Sequence, residues 1–166
     1  MPIFMNLLRI FFALVALVVT ASAAPKTIDE YFLAIPHQVF TEGSPAEILK
    51  IIKRGESGSL LDSKNGYMRL AGDGAQVSLQ VALFRFEDKS PLLAIAWGDL
   101  EEPDFTHVTL FLEKEGKMIS ADRSILPVAD SPDHRFELPR YGRTVIIRNG
   151  KVLSKWTWDG KRFVKE

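Results

Sequence analysis

The chain has no cysteine at all. Disulfides, thiol catalysis, thiolate metal sites and a lipid-modified cysteine anchor are all excluded, so the fold rests on its apolar core alone. Charge of one sign is missing too, since 21 Lys and Arg stand against 21 Asp and Glu. Without a basic field, a nucleic-acid partner is not expected. Catalytic signatures are equally scarce. The Gly-x-Ser-x-Gly nucleophile elbow is absent, because Gly55-Glu56-Ser57-Gly58-Ser59 sets its glycine one place early and follows no strand. No His-Glu-x-x-His pair and no calcium loop of EF-hand spacing occur. Asp62, Asp73 and Asp99 sit at strand ends or turns with nothing to pair them. No cofactor is expected.

What is present begins with an apolar leader. Leu7 to Thr20 is interrupted only by Arg9 and runs into Ala21-Ser22-Ala23, the order of a secretory signal peptide with small residues at its cleavage site. Residues 1–23 are assigned as that signal, with Met5 as an alternative start and cleavage after Ala23. Asn6 and Arg9 make the segment a poor membrane anchor. Loss of Arg9 with the leader leaves one more acid than base. The mature chain is expected in the periplasm or outside a bacterial cell, with no stable membrane span.

A chain of 166 residues with 46% hydrophobic content has the make-up of one globular domain, assigned to residues 24–166. Helices are expected within 27–55. Thr27-Ile28-Asp29-Glu30 has capping-box spacing, in which the Thr27 hydroxyl accepts from the Glu30 N–H, and Ile28, Tyr31, Phe32 and Ile35 form an apolar stripe. A second helix starts at Ser44-Pro45 with Glu47 three past the cap, and stops at Gly55.

From 59 onward the pattern turns to strands. Val77, Leu79, Val81 and Leu83 alternate with polar or small residues, and from Ala82 the apolar set changes phase through Phe84 and Phe86. Burial on both faces or a bulge accounts for that. Leu92 to Trp97 has no polar residue and is expected to be the central strand, covered on both sides. Asn65-Gly66, Glu115-Gly116, Asn149-Gly150 and Asp159-Gly160 mark hairpin turns, the last two joining a C-terminal three-stranded meander. Gly72-Asp73-Gly74 leads into a strand rather than a helix, and so reads as a turn rather than a phosphate cradle. The expected fold is α+β: two N-terminal helices on one face of a mainly antiparallel sheet of about seven to nine strands.

The order Tyr31-Phe32, Ile35-Pro36, Leu61-Asp62, Asn65-Gly66-Tyr67 after a signal peptide resembles uncharacterised secreted bacterial proteins. That resemblance implies the same exported, strand-rich fold and no assigned activity. It transfers no site.

Candidate site residues follow from chemistry alone. Trp156 and Trp158 share one face of a strand, where they form either a core wall or a stacking platform for a sugar or peptide. Arg140-Tyr141-Gly142-Arg143 sets two guanidinium groups on a turn suited to acidic ligands. His107 lies within a strand and, with His37 and His134, completes the set of possible bases. Asp130, Asp133 and His134, or Glu101, Glu102 and Asp104, have metal-ligand chemistry, but plain polar loops explain both groups and no metal site is assigned. The leading functional expectation is a non-catalytic envelope module binding a protein, peptide or glycan. Two alternatives stand beside it: a hydrolase with a dispersed site at His107 or His134, and a carrier of an apolar ligand in a cavity under the helices lined by Phe84, Phe86 and Phe111.

Overall fold

The computed structural model describes residues 26–41, 43–55, 58–71, 78–98, 105–129 and 131–166. The signal segment, the Gly72–Gly74 turn, Asp99, Glu101, Glu102, Asp104 and Asp130 lie outside these residues.

Helix α1 (Ile28–Leu33) opens with the Glu30 carboxylate accepting from the Thr27 backbone N–H at 2.7 Å. The expected capping box of Thr27 with Glu30 is formed, and the Thr27 hydroxyl also donates to the Asp29 and Glu30 carboxylates. Helix α2 (Pro45–Arg54) has the expected reciprocal cap between Ser44 and Glu47, and Gly55 ends it at φ 69°. Among the described residues no helix is long and apolar enough to cross a membrane.

Ten strands follow: β1 (Leu60–Asp62), β2 (Tyr67–Leu70), β3 (Leu79–Arg85), β4 (Pro91–Gly98), β5 (Phe105–Lys114), β6 (Lys117–Ser120), β7 (His134–Glu137), β8 (Thr144–Asn149), β9 (Val152–Trp158) and β10 (Phe163–Lys165). The fold is α+β and antiparallel as expected, but the strands divide into two sheets. One holds β1 to β6 in sequence order and the other runs β10-β9-β8-β7. A single sheet under two helices is therefore corrected to three layers.

The physical reason lies in the central strands. Leu92 to Ala96 in β4 have no exposed surface, so both faces of the large sheet need a cover. On one face Ile28, Phe32, Ile48 and Ile52 of the helices pack on Met68, Val81, Leu93, Ile95 and Phe111. On the other, Ala82, Phe84, Leu92, Ala94 and Leu110 pack on Val145, Ile147, Trp158 and Phe163 of the smaller sheet. Register between β3 and both its neighbours is unbroken, so the phase change at Ala82 reflects two buried faces and no bulge. A bulge occurs elsewhere, where Trp97 pairs with His107 but Gly98 pairs with Phe105. Phe84 and Phe86 lie on the inter-sheet side and Phe111 on the helix side, so these three do not line one cavity under the helices.

Turn chemistry departs from expectation in detail. The β1–β2 loop spans four residues, Ser63 to Gly66, and Asp62 braces it by accepting from the Asn65 backbone and side-chain amides. Gly66 takes φ 64°, and a Cβ there would lie 3.1 Å from Leu83 Cβ, so only glycine fits without a shift. In the β8–β9 hairpin Asn149 still pairs with Val152, and the two loop residues are Gly150-Lys151 rather than Asn149-Gly150. The meander of β8, β9 and β10 forms as expected.

Candidate functional site

Two clefts flank β7. The first has a volume of about 850 Å³ and is lined by residues from both sheets and the segment between β7 and β8. Strand alternation turns Tyr67 and Arg69 of β2 away from the helices, while Met68 and Leu70 face them. Arg69 pairs across the sheet with Gln80, whose Oε1 accepts from the Leu138 backbone N–H at 2.9 Å. That buried bond fixes the start of Leu138-Pro139-Arg140-Tyr141, which forms one wall.

Arg140 leaves this wall towards Asp62, with Nε donating to Oδ2 at 2.7 Å, and its guanidinium lies 5.1 Å from the centre of the Tyr141 ring. Hydrogen bonds from the Asn65 and Arg140 side chains hold the Asp62 carboxyl below the usual carboxylate range. The same bond raises Arg140, so the pair stays charged wherever the protein is folded near neutrality. Burial pushes the Tyr67 phenol up, keeping a neutral hydroxyl at the cleft floor. Tyr141 is 67% exposed, a large aromatic surface at the rim.

Arg135, Arg148, Lys155, Glu137 and Glu166 complete the polar lining. Five cations thus face two carboxylates in a chain whose charges balance overall. Arg148 and Glu137 approach at 3.8 Å, but both are more than half exposed, and such a pair contributes little.

The second cleft, about 750 Å³, lies between β5 and the chain from Ser120 to Phe136. It gathers His107 and His134, which the sequence placed 27 residues apart, with Asp122, Ser120 and Ser131. The Asp122 carboxylate accepts from the Ser124 backbone N–H at 2.7 Å, capping a 3₁₀ turn at Arg123–Ile125. His134 packs edge-on against Phe136, and its Nδ1, shielded from water, has no hydrogen-bond partner among the described residues. Also among the described residues, no three His, Asp or Glu side chains cluster closely enough to hold a metal ion.

The structure separates the candidate residues. Arg140 and Tyr141 line the first cleft and His107 the second, while Arg143 lines neither. Trp156 and Trp158 do share a face, and it is the one turned to the large sheet. Trp158 is only 2% exposed, and Trp156 is half-buried with Nε1–H donating to Ser154 Oγ at 3.2 Å. Trp158 therefore presents no ring face to a ligand, and the core-wall alternative holds for it. Arg69, Arg135, Arg148 and Lys155 were missed because they come from four separate strands. Each occupies a polar position in an alternating run, which marks a surface but not which surface.

No family model matches the chain, and no curated protein matches it. Among solved structures it is similar to a domain of an uncharacterised protein from Porphyromonas gingivalis W83. The identity is 16%, the TM-score 0.56, and the alignment covers 84% of this chain and 97% of that one. The likeness extends to the fold alone.

Proposed function

We propose that the chain is an exported, non-catalytic binding module whose first cleft holds a carboxylate-bearing peptide or glycan of the bacterial envelope. The observation that supports this is the segregation of charge. A chain with equal numbers of acids and bases gathers Arg69, Arg135, Arg140, Arg148 and Lys155 around one concavity. Guanidinium forks match carboxylates in two-point hydrogen bonds, and a rim tyrosine adds rigid amphipathic area. Arg69 and Lys155 have no side-chain partner among the described residues, so their charge is available to a ligand.

Calorimetric titration with hexaglutamate and with a uronic-acid oligosaccharide tests the reading and separates the two ligand sources. Binding by either should weaken as salt rises and fall at least tenfold in the Arg69→Ala/Lys155→Ala double variant. Binding that is indifferent to both salt and the double substitution would overturn it. Export has its own test, in which the protein recovered from the periplasm or medium begins at Ala24. Recovery of the chain from the cytosol with its leader attached would remove the compartment from the proposal.

A further inference from the structure

We infer that the ligand of the first cleft is an acidic glycan chain, one that lies along the outer face of the smaller sheet and continues past Arg135 and Arg148 to the β8–β9 turn. This rests on the anionic-ligand reading above and adds to it the ligand's class and length.

Strand alternation builds the face. Phe136, Val145, Ile147 and Trp158 turn inward to pack against the large sheet, so Arg135, Glu137, Ile146, Arg148 and Lys155 turn the other way. Register then sets Arg135 directly opposite Arg148. Like charges in that position destabilise a sheet, and the exposed Glu137 carboxylate, 3.8 Å from Arg148, is screened by water. Arg135 is also held in place, since its Nη1 donates to the Pro132 and His134 carbonyls at 2.7 and 3.0 Å. A ligand carboxylate seated between the two guanidinium groups removes the repulsion and gains charge-assisted hydrogen bonds there.

The same two arginines mark where the site goes on. They line both the first cleft and an adjoining concavity of about 330 Å³, which also takes in Asp133, Asn149 and Gly150. From Thr144 to Gly150 the lining follows β8 for a length of roughly 20 Å at about 3.3 Å per residue. Lys155 lies one strand over and two residues along from Arg148, a diagonal spacing of about 7–8 Å. Positive charge thus recurs along the path, which suits a chain of repeated acidic units rather than a single one.

The class of chain follows from what the face offers. β8 pairs with β7 on one side and β9 on the other, so its backbone groups are already engaged and only side chains meet the ligand. A peptide recognised by a sheet pairs with an edge. Laid on a face, its N–H and C=O groups lose water without gaining partners. Sugar hydroxyls both donate and accept. Glu137 and Glu166, interspersed among the cations, repel a run of acidic side chains but accept from hydroxyls, while Arg148 and Lys155 meet the uronate carboxylates. The exposed Tyr141 ring at the rim covers the apolar face of a pyranose.

Calorimetric titration of the mature chain with tri- and hexagalacturonate, the methyl-esterified hexamer and hexaglutamate tests this. The hexamer should bind at least tenfold tighter than either the trimer or hexaglutamate, and esterification should abolish binding. Asn149→Asp sets a negative charge beside the extension alone, and should weaken the hexamer at least fivefold while leaving the trimer unchanged. If that variant folds poorly, amide shifts at Arg148 to Gly150 that the hexamer moves and the trimer does not decide on the unaltered protein. Equal affinity for trimer and hexamer, or indifference of the hexamer to Asn149→Asp, overturns the extension. Hexaglutamate binding as tightly as the hexamer overturns the glycan. In both cases a loss in Arg69→Ala/Lys155→Ala leaves the first-cleft reading standing, whereas no binding by any of these anions removes both.

Discussion

The indole Nε1–H of Trp158 donates to the backbone carbonyl of Arg85 at 2.8 Å, tying the smaller sheet to the large one across 73 residues of sequence. Around that bond the Trp158 ring packs against Phe84, Phe86 and Phe163, with centroids 6.0, 5.0 and 5.1 Å away. Replacing Trp158 with alanine removes the largest side chain buried between the sheets and leaves a carbonyl without its donor. The expected loss is about 3–5 kcal/mol, read as a shift in the urea midpoint with the slope retained. Trp156→Ala, at a half-buried position, should cost distinctly less. Equal losses at the two positions would contradict the placement.

How much of this was legible in the sequence depends on how local the physics is. The Ser44-Pro45-Glu47 cap, the Gly55 stop and the Glu115-Gly116 turn are decided within four residues, and each stands where its chemistry puts it. The buried central strand was legible because Leu92 to Trp97 offers water no polar group. The division into two sheets was not, because it rests on contacts such as Trp158 with Phe84 and Phe86. Yet a signal existed: a strand apolar on both faces needs two covers, and two short helices supply one. The C-terminal meander with its paired tryptophans was the available second layer. The first cleft was legible only at Arg140-Tyr141, where neighbours in sequence act together, and Arg69 and Lys155 join it through pairing alone.

Gln80 is a buried polar side chain whose Oε1 accepts from the Leu138 N–H. Gln80→Leu keeps the bulk but strands that N–H away from water, which costs about 1–3 kcal/mol. The same change frees the Leu138–Tyr141 wall, so binding in the first cleft should weaken more than stability alone explains. Thermal unfolding and titration of hexaglutamate on the same preparation check both parts. Unaltered affinity in the folded variant would show that the wall is held by other contacts.

The Asp62–Arg140 pair makes a prediction in pH. Hydrogen bonds to the ionised carboxylate from Asn65 and Arg140 lower its pKa in the folded protein. A group lowered on folding contributes stability that is complete above its unfolded pKa, about 3.9 for aspartate. That contribution disappears as pH falls through the lower folded value. Asp62→Asn should therefore be less stable than the parent at pH 7, and the gap should close as both are taken below about pH 4. Urea melts from pH 7 down to pH 2.5 measure the difference directly. Arg140→Gln should show the same convergence, because it removes the partner that favours the charged form. Parallel stability curves for parent and Asp62→Asn over that whole range would mean that the carboxylate gains nothing from its partners on folding, and the brace between the β1–β2 loop and the cleft wall would have to be assigned to other contacts.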